Sequence, residues 1–208
     1  MRTIIAVLIL GLVAGLGFLG WNKYQAYTEM QVAVANVRSA SALMIRQSEM
    51  DRSDTVTFSE YFKKAAESID EIDNGLLVLR TTQFARRADA RDSAIEFSSS
   101  AQEIIRAASS QARSKMRASS VKQILEEARQ EALSSNNEYT VTYATDRARK
   151  ARDEQIEILG EMISELEALK AKNERMMSAD TKVKSLFGPT EGLPSEMVED
   201  IKPEKAKG

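Results

Sequence analysis

The side chains able to do chemistry are few, and none stands where chemistry would need it. The 208-residue chain has no histidine and no cysteine. That removes imidazole acid–base catalysis, thiolate nucleophiles, disulfides and Cys/His zinc sites together. A serine nucleophile would then depend on a lysine or carboxylate base. Ser119 and Lys122 do spell S-x-x-K, and Ser114 adjoins Lys115. Both pairs fall inside an expected exposed helix, with no second motif to complete a site. Glu126/Glu127 and Glu157/Glu161 are carboxylate pairs on helix faces, where solvated charge is the ordinary state. There is no phosphate-cradling glycine loop, no H-E-x-x-H and no G-x-S-x-G. The expectation is a non-enzymatic protein with no cofactor, no metal and no small-molecule substrate. Nucleic acid is not an expected partner either, because the basic stretch 80–152 also carries nine acidic residues and lacks interleaved aromatics.

What the chain does have is a contrast in composition. Ile4 to Trp21 is an uninterrupted apolar run, whereas Asn22 to Phe187 is charged, free of proline and broken only by Gly75 and Gly160. Pro189, Pro194 and Pro203 all lie in the final stretch. Eighteen apolar residues rise roughly 27 Å as a helix, the lower limit for a bilayer span. The expected architecture is all-α. A transmembrane signal-anchor occupies 1–21 and a helical ectodomain 22–187, an extended antiparallel bundle or coiled coil; 188–208 form a flexible charged tail. Trp21, Tyr24 and Tyr27 follow the run as interfacial anchors would. Gly11 and Gly15 are a GxxxG pair that could pack membrane helices closely. With Arg2 before the run, the positive-inside bias puts the amino terminus in the cytoplasm and the body outside, in the periplasm of a bacterium.

Periodicity divides the ectodomain into helices at about 22–52, 56–83, 88–134 and 143–186. Met30, Ala33, Val37, Ala40 and Met44 form the first stripe. Phe58, Phe62, Ala65, Ile69, Ile72, Leu76 and Leu79 alternate spacings of four and three, a heptad seam that reads Gly75 as a tolerated glycine inside its helix. A second seam takes Leu159, Leu166 and Asn173 with Met162, Leu169, Met176 and Val183, which places Asn173 at a core position that would fix register; a seam shifted through Ile156 and Ile163 would instead leave Asn173 exposed. If residues 22–52 climb roughly 45 Å from the membrane, an equal return ends near residue 85. The chain is therefore expected to break at about Thr81–Arg91, leaving Arg80, Arg86, Arg87 and Arg91 for anionic headgroups; the alternative is one very long helix from about 56 to 134, projecting away from the membrane. Ser134 to Asn137 ends the third helix. Tyr139 to Tyr143 is the only β-leaning stretch, expected as a loop whose Tyr139 and Tyr143 contact a partner.

These features point to a membrane-anchored helical accessory or scaffold subunit of a cell-envelope complex. Its partners would be membrane lipid and other membrane or envelope proteins, in a homo- or hetero-oligomer, since two narrow stripes give one chain little core. Two alternatives stand beside it. A membrane helix leading into an up-and-down four-helix bundle resembles, in layout, a bacterial chemoreceptor input domain. That resemblance implies a ligand-binding module acting through a membrane partner. A phage lysis or DNA-ejection component would also join an apolar segment to long helices.

Overall fold

In the computed structural model the backbone is described for residues 2–53 and 55–187, and side chains from Leu19 onward within that range. The described residues form four helices joined by short turns, without a strand. The elements are α1 (Arg2–Arg52), α2 (Phe58–Thr81), α3 (Ala88–Ser134) and α4 (Glu138–Phe187). Gly11, Gly15 and the side chains of the apolar run up to Phe18 lie outside the described residues, as does the tail 188–208. Among the described residues no helix is long and apolar enough to cross a membrane.

Local chemistry sets the helix ends. Thr57 caps α2: its hydroxyl accepts the Glu60 amide at 3.2 Å, and its carbonyl accepts the Tyr61 amide at 2.9 Å. At the other end the Thr81 hydroxyl donates back to the Leu77 carbonyl at 2.8 Å. Residues 82–87 then interrupt the helix, so 58–134 is two helices, α2 and α3, and not one long one. Asn137 caps α4, its side-chain oxygen accepting the Tyr139 amide at 3.0 Å. The stretch Tyr139–Tyr143 is therefore the first turn of α4 and not a loop. Its threonine problem is solved locally, since Thr142 donates to the Glu138 carbonyl at 2.9 Å and Thr145 to that of Val141 at 2.7 Å. Hydroxyls bonded back to the i−4 carbonyl make β-branched threonine tolerable in a helix.

The chain divides into two compact units. One takes Met1–Arg46, Asp70–Gln102 and Met176–Gly208; the other takes Gln47–Ile69 and Glu103–Arg175. In the first, α1 and α2 run antiparallel, with Ser39 donating to Glu71 at 3.2 Å. Ala33, Val37, Ala40, Leu76, Leu79, Ala94, Phe97, Ala179 and Val183 are buried there, drawn from all four helices. Gly75 is more than tolerated, because a Cβ on it would come within 2.5 Å of the Asn36 side-chain oxygen. In the second unit, α3 and α4 run antiparallel, tied by Arg117–Glu161 at 2.6 Å and Arg147–Glu127 at 3.1 Å. Its apolar centre is Val121, Ala151 and Ile158, flanked by Ala118, Ile124, Leu125 and Met162. The interhelix ion pairs are exposed and contribute little each.

Within one chain, neither expected seam coincides with the buried face along its whole length. On α2 the buried side chains are Tyr61, Ala65, Ser68, Ile72, Leu76 and Leu79. Phe62 and Ile69 are half-buried and Phe58 is exposed. The expected seam advances 3.5 residues per turn, the observed one 3.6. A straight helix drifts about 20° per heptad from the shorter period, and extrapolating back from Leu79 puts the early positions one residue out. On α4 the seam straddles two faces. Met176 is buried and Met162 and Leu169 are half-buried, but Leu159 and Leu166 are exposed. The face that meets the rest of the chain carries Ala144, Ala151 and Ile158, and later Met176, Ala179 and Val183. That face keeps phase along the whole helix; the one bearing Leu159 and Leu166 does not. Asn173 is half-buried at its edge.

Candidate functional site

The densest set of polar and aromatic contacts lies where the α2–α3 turn meets α1. Three rings stand out from α1: Trp21, Tyr24 and Tyr27 are 59%, 63% and 62% exposed, with Leu19 beside them. Trp21 and Tyr24 lean together with ring centroids 6.2 Å apart. Two turns on, Glu29 is buried, and its carboxylate accepts three successive backbone amides. Oε1 takes Ala85 at 3.0 Å, while Oε2 takes Arg86 at 2.9 Å and Arg87 at 2.7 Å. Consecutive N–H groups converging on one anion form a nest, here filled by the chain's own side chain. Phe84, also buried, pins the same turn. Arg86 reaches further and donates to the Asn22 side-chain oxygen at 2.8 Å. An open cleft of about 240 Å³ lies between Trp21, Tyr24, Val32 and Thr82.

The four arginines assigned to headgroups fare differently. Arg86 is exposed and tethered to α1, and Arg80 is exposed. Arg87 forms a two-pronged pair with Asp89, at 3.0 and 3.1 Å, which holds the Asp89 carboxyl below its ordinary value of 3.8. Arg91 pairs with Asp92 at 2.8 Å. Two of the four charges are thus met by neighbouring aspartates. Glu29 is the residue that sequence reading missed. A signal was there: it is an acid in phase with Ala33, Val37 and Ala40 on an otherwise apolar stripe.

The second unit holds two other features. A cleft of about 210 Å³ is lined by Met50, Asp51, Val56, Phe58, Tyr61 and Lys115. Beside it the Tyr61 hydroxyl and both polar atoms of the Gln47 amide are buried without a well-aligned hydrogen bond. Burial pushes the Tyr61 phenol above its ordinary 10.0; the nearby Gln47 amide opposes this, and Asp51 adds to it. At the α3–α4 turn, Leu133, Tyr139 and Tyr143 are 79%, 80% and 59% exposed. Among the described residues no group of acidic side chains could hold a metal ion. Ser119 and Lys122 are both exposed on α3, and Ser114 is buried while Lys115 is exposed.

No family model, curated protein or solved structure matches this chain.

Proposed function

We propose that the chain is a membrane-anchored, non-enzymatic helical scaffold subunit of a cell-envelope complex. Residues 4–21 sit in the bilayer, and the body stands on the extracytoplasmic side. The observation that supports this most is the level of the α2–α3 turn. It docks on α1 between Asn22 and Glu29, immediately after the apolar run and beside three outward-facing aromatic rings. Aromatic rings and arginines at one level are what a headgroup layer selects. A soluble helix would gain nothing by exposing Trp21, Tyr24 and Tyr27 on consecutive turns. Arg80 and Arg86 meet anionic lipid, and Gly11 and Gly15 ease helix packing in the membrane. Leu133, Tyr139 and Tyr143 serve as the contact for a protein partner.

Membrane fractionation tests the anchor. The full chain stays with carbonate-washed membranes, and deletion of residues 2–21 releases it as a folded helical protein. Recovery of the intact chain in the soluble fraction sinks the reading. Stoichiometric partners that co-purify in mild detergent, and are lost on Tyr139→Ser with Tyr143→Ser, would identify the complex. A second reading, a small-molecule sensor acting through a membrane partner, draws on the cleft beside Tyr61 and Gln47. A thermal shift of the full chain with small polar metabolites, abolished by Lys115→Ala, would favour it.

A further inference from the structure

Helix α4 carries two apolar stripes, and the chain covers only one of them. Ile156, Leu159, Ile163 and Leu166 remain 60%, 50%, 61% and 49% exposed. At 3.6 residues per turn their face lies about 120° around α4 from the one that buries Ala151 and Ile158. Spacings of three, four and three make two heptads, with isoleucine at both a positions (Ile156, Ile163) and leucine at both d positions (Leu159, Leu166). Among parallel coiled coils, isoleucine at a with leucine at d favours two strands. We propose that this stripe is a homodimerisation surface, on which α4 pairs in parallel with α4 of a second copy of the chain.

Charge agrees with the parallel sense. In a parallel pair the flanking positions bring Gln155 against Gly160 and Met162 against Glu167, so no like charges meet. An antiparallel pair would set Asp153 opposite Glu167, acid against acid. The stripe is also bounded. Arg152 occupies the d position before it and Lys170 the a position after it, and a lysine at a costs stability but fixes register and strand number. Gly160 adds an independent observation. A Cβ there would meet nothing within 4 Å, so no contact in its own chain calls for a glycine at that point of the helix. Its bare backbone borders the stripe and gives a second helix room to approach.

Size sets the strength. Four half-exposed side chains offer roughly 400 Å² per copy, about half of the ~800 Å² per partner of a standard stable interface. The pairing is therefore weak between freely diffusing chains. It strengthens when copies are held at one level at high effective concentration, as the anchor proposed above would hold them. Only this strengthening rests on the membrane reading; the surface and its orientation do not.

The absence of cysteine makes the test clean, because one introduced thiol is the only thiol. Full-length Leu159→Cys and Leu166→Cys, oxidised in isolated membranes and in detergent, each give a disulfide-linked dimer, whereas Ser164→Cys off the stripe does not. Adding Leu159→Gln and Ile163→Gln to Leu166→Cys lowers the crosslinked fraction at least tenfold. Circular dichroism stays unchanged, since both side chains already face solvent within one chain. Absence of dimer at Leu159→Cys and Leu166→Cys overturns the proposal wherever the chain is found. So does equal crosslinking at Ser164→Cys, crosslinking only between mixed Leu159→Cys and Ile163→Cys chains, or capture of a foreign chain at these positions. Membrane association is scored in the same samples. Dimer without membrane association removes the anchor and leaves the pairing; membrane association without dimer does the reverse.

Discussion

The two units close their turns by different means. In the unit containing Asp70–Gln102, the α2–α3 turn is held at long range, by a carboxylate 56 to 58 residues away and by buried Phe84. In the unit containing Glu103–Arg175, the α3–α4 turn is held by itself. Asn137 caps α4, the Ser135 hydroxyl accepts the Asn137 amide at 3.2 Å, and the large side chains Leu133, Tyr139 and Tyr143 are left in solvent. The same unit leaves the Ile156–Leu166 stripe uncovered. The first unit spends its specific contacts internally and exposes aromatics only beside the apolar run. The second builds its helices locally and keeps apolar surface free. That difference fits the roles proposed above, in which the second unit meets other proteins and the first stands at the membrane, although the first also exposes Leu77, Val78 and Met177.

The sharpest way to break this comparison is Glu29→Ala. It leaves three amides of a buried nest without their acceptor, and charge-assisted bonds of this kind are the strong ones. The expected loss is about 2–4 kcal/mol in urea unfolding of the full chain in detergent. Glu29→Gln should recover part of it, because one carbonyl oxygen still accepts. Should both variants unfold at the wild-type midpoint, the long-range account of this turn is wrong.

Gly75 and Gly160 give the next effect, with opposite signs in the two units. At Gly75 a methyl group would press on the Asn36 side chain, which itself donates to the Val32 carbonyl at 2.9 Å. Gly75→Ala must displace that amide, and overpacking of this kind costs about 1–3 kcal/mol, less whatever helix propensity returns. Gly160→Ala meets open space and should raise stability by up to about 1 kcal/mol. A thermal melt of each variant reads the sign directly. Two stabilising alanines would mean that α1 and α2 can part at Gly75 without loss.

Asn137→Ala sits lower in the series. It removes one cap from a turn with no distant support, and the expected cost is about 1 kcal/mol, seen as a lower melting temperature with fraying of α4. A loss as large as that of Glu29→Ala would erase the contrast between the turns.

How much of this was legible depended on whether one residue type carried the message. Proline-free length and the Ser–Asn end of α3 act locally, so the helices could be read from sequence; the cap at Thr57 is not among those signals, and the break at 82–87 is one of two readings that the sequence leaves open. Val37, Ala40, Ile72 and Leu79 follow from apolar spacing alone. The α4 seam did not, because its covered face is built from alanine. Ala144 and Ala151 announce themselves less than Leu159 and Leu166, yet they allow α3 closer. Glu29 was hidden for another reason. Its role exists only when residues 85–87 arrive beside it, and no local pattern encodes a nest formed at a separation of more than 50 residues. The Tyr139–Tyr143 turn was misread because threonine propensity was weighed without the i−4 hydroxyl bonds that offset it.

The smallest effect tests whether the α2–α3 turn owes anything to surface charge. Asp89 lies in the first turn of α3, where a carboxylate favours the helix dipole, and Arg87 grips it with two nitrogens. Its carboxyl titrates below the ordinary 3.8, so the ionised form is the one that the folded state prefers. The associated stability is therefore complete above that ordinary value and fades as acid drives the folded group through its lowered one. The pair is largely exposed, so water and salt screen it, and the contribution is a few tenths of a kcal/mol at most. Wild type minus Asp89→Asn should give a small positive difference that is constant from neutral pH to about pH 5. It should narrow below pH 4 and shrink with added salt throughout. A difference that grows toward acid would mean that Asp89 is better protonated in the folded chain, and that Arg87 holds the turn by some contact other than charge.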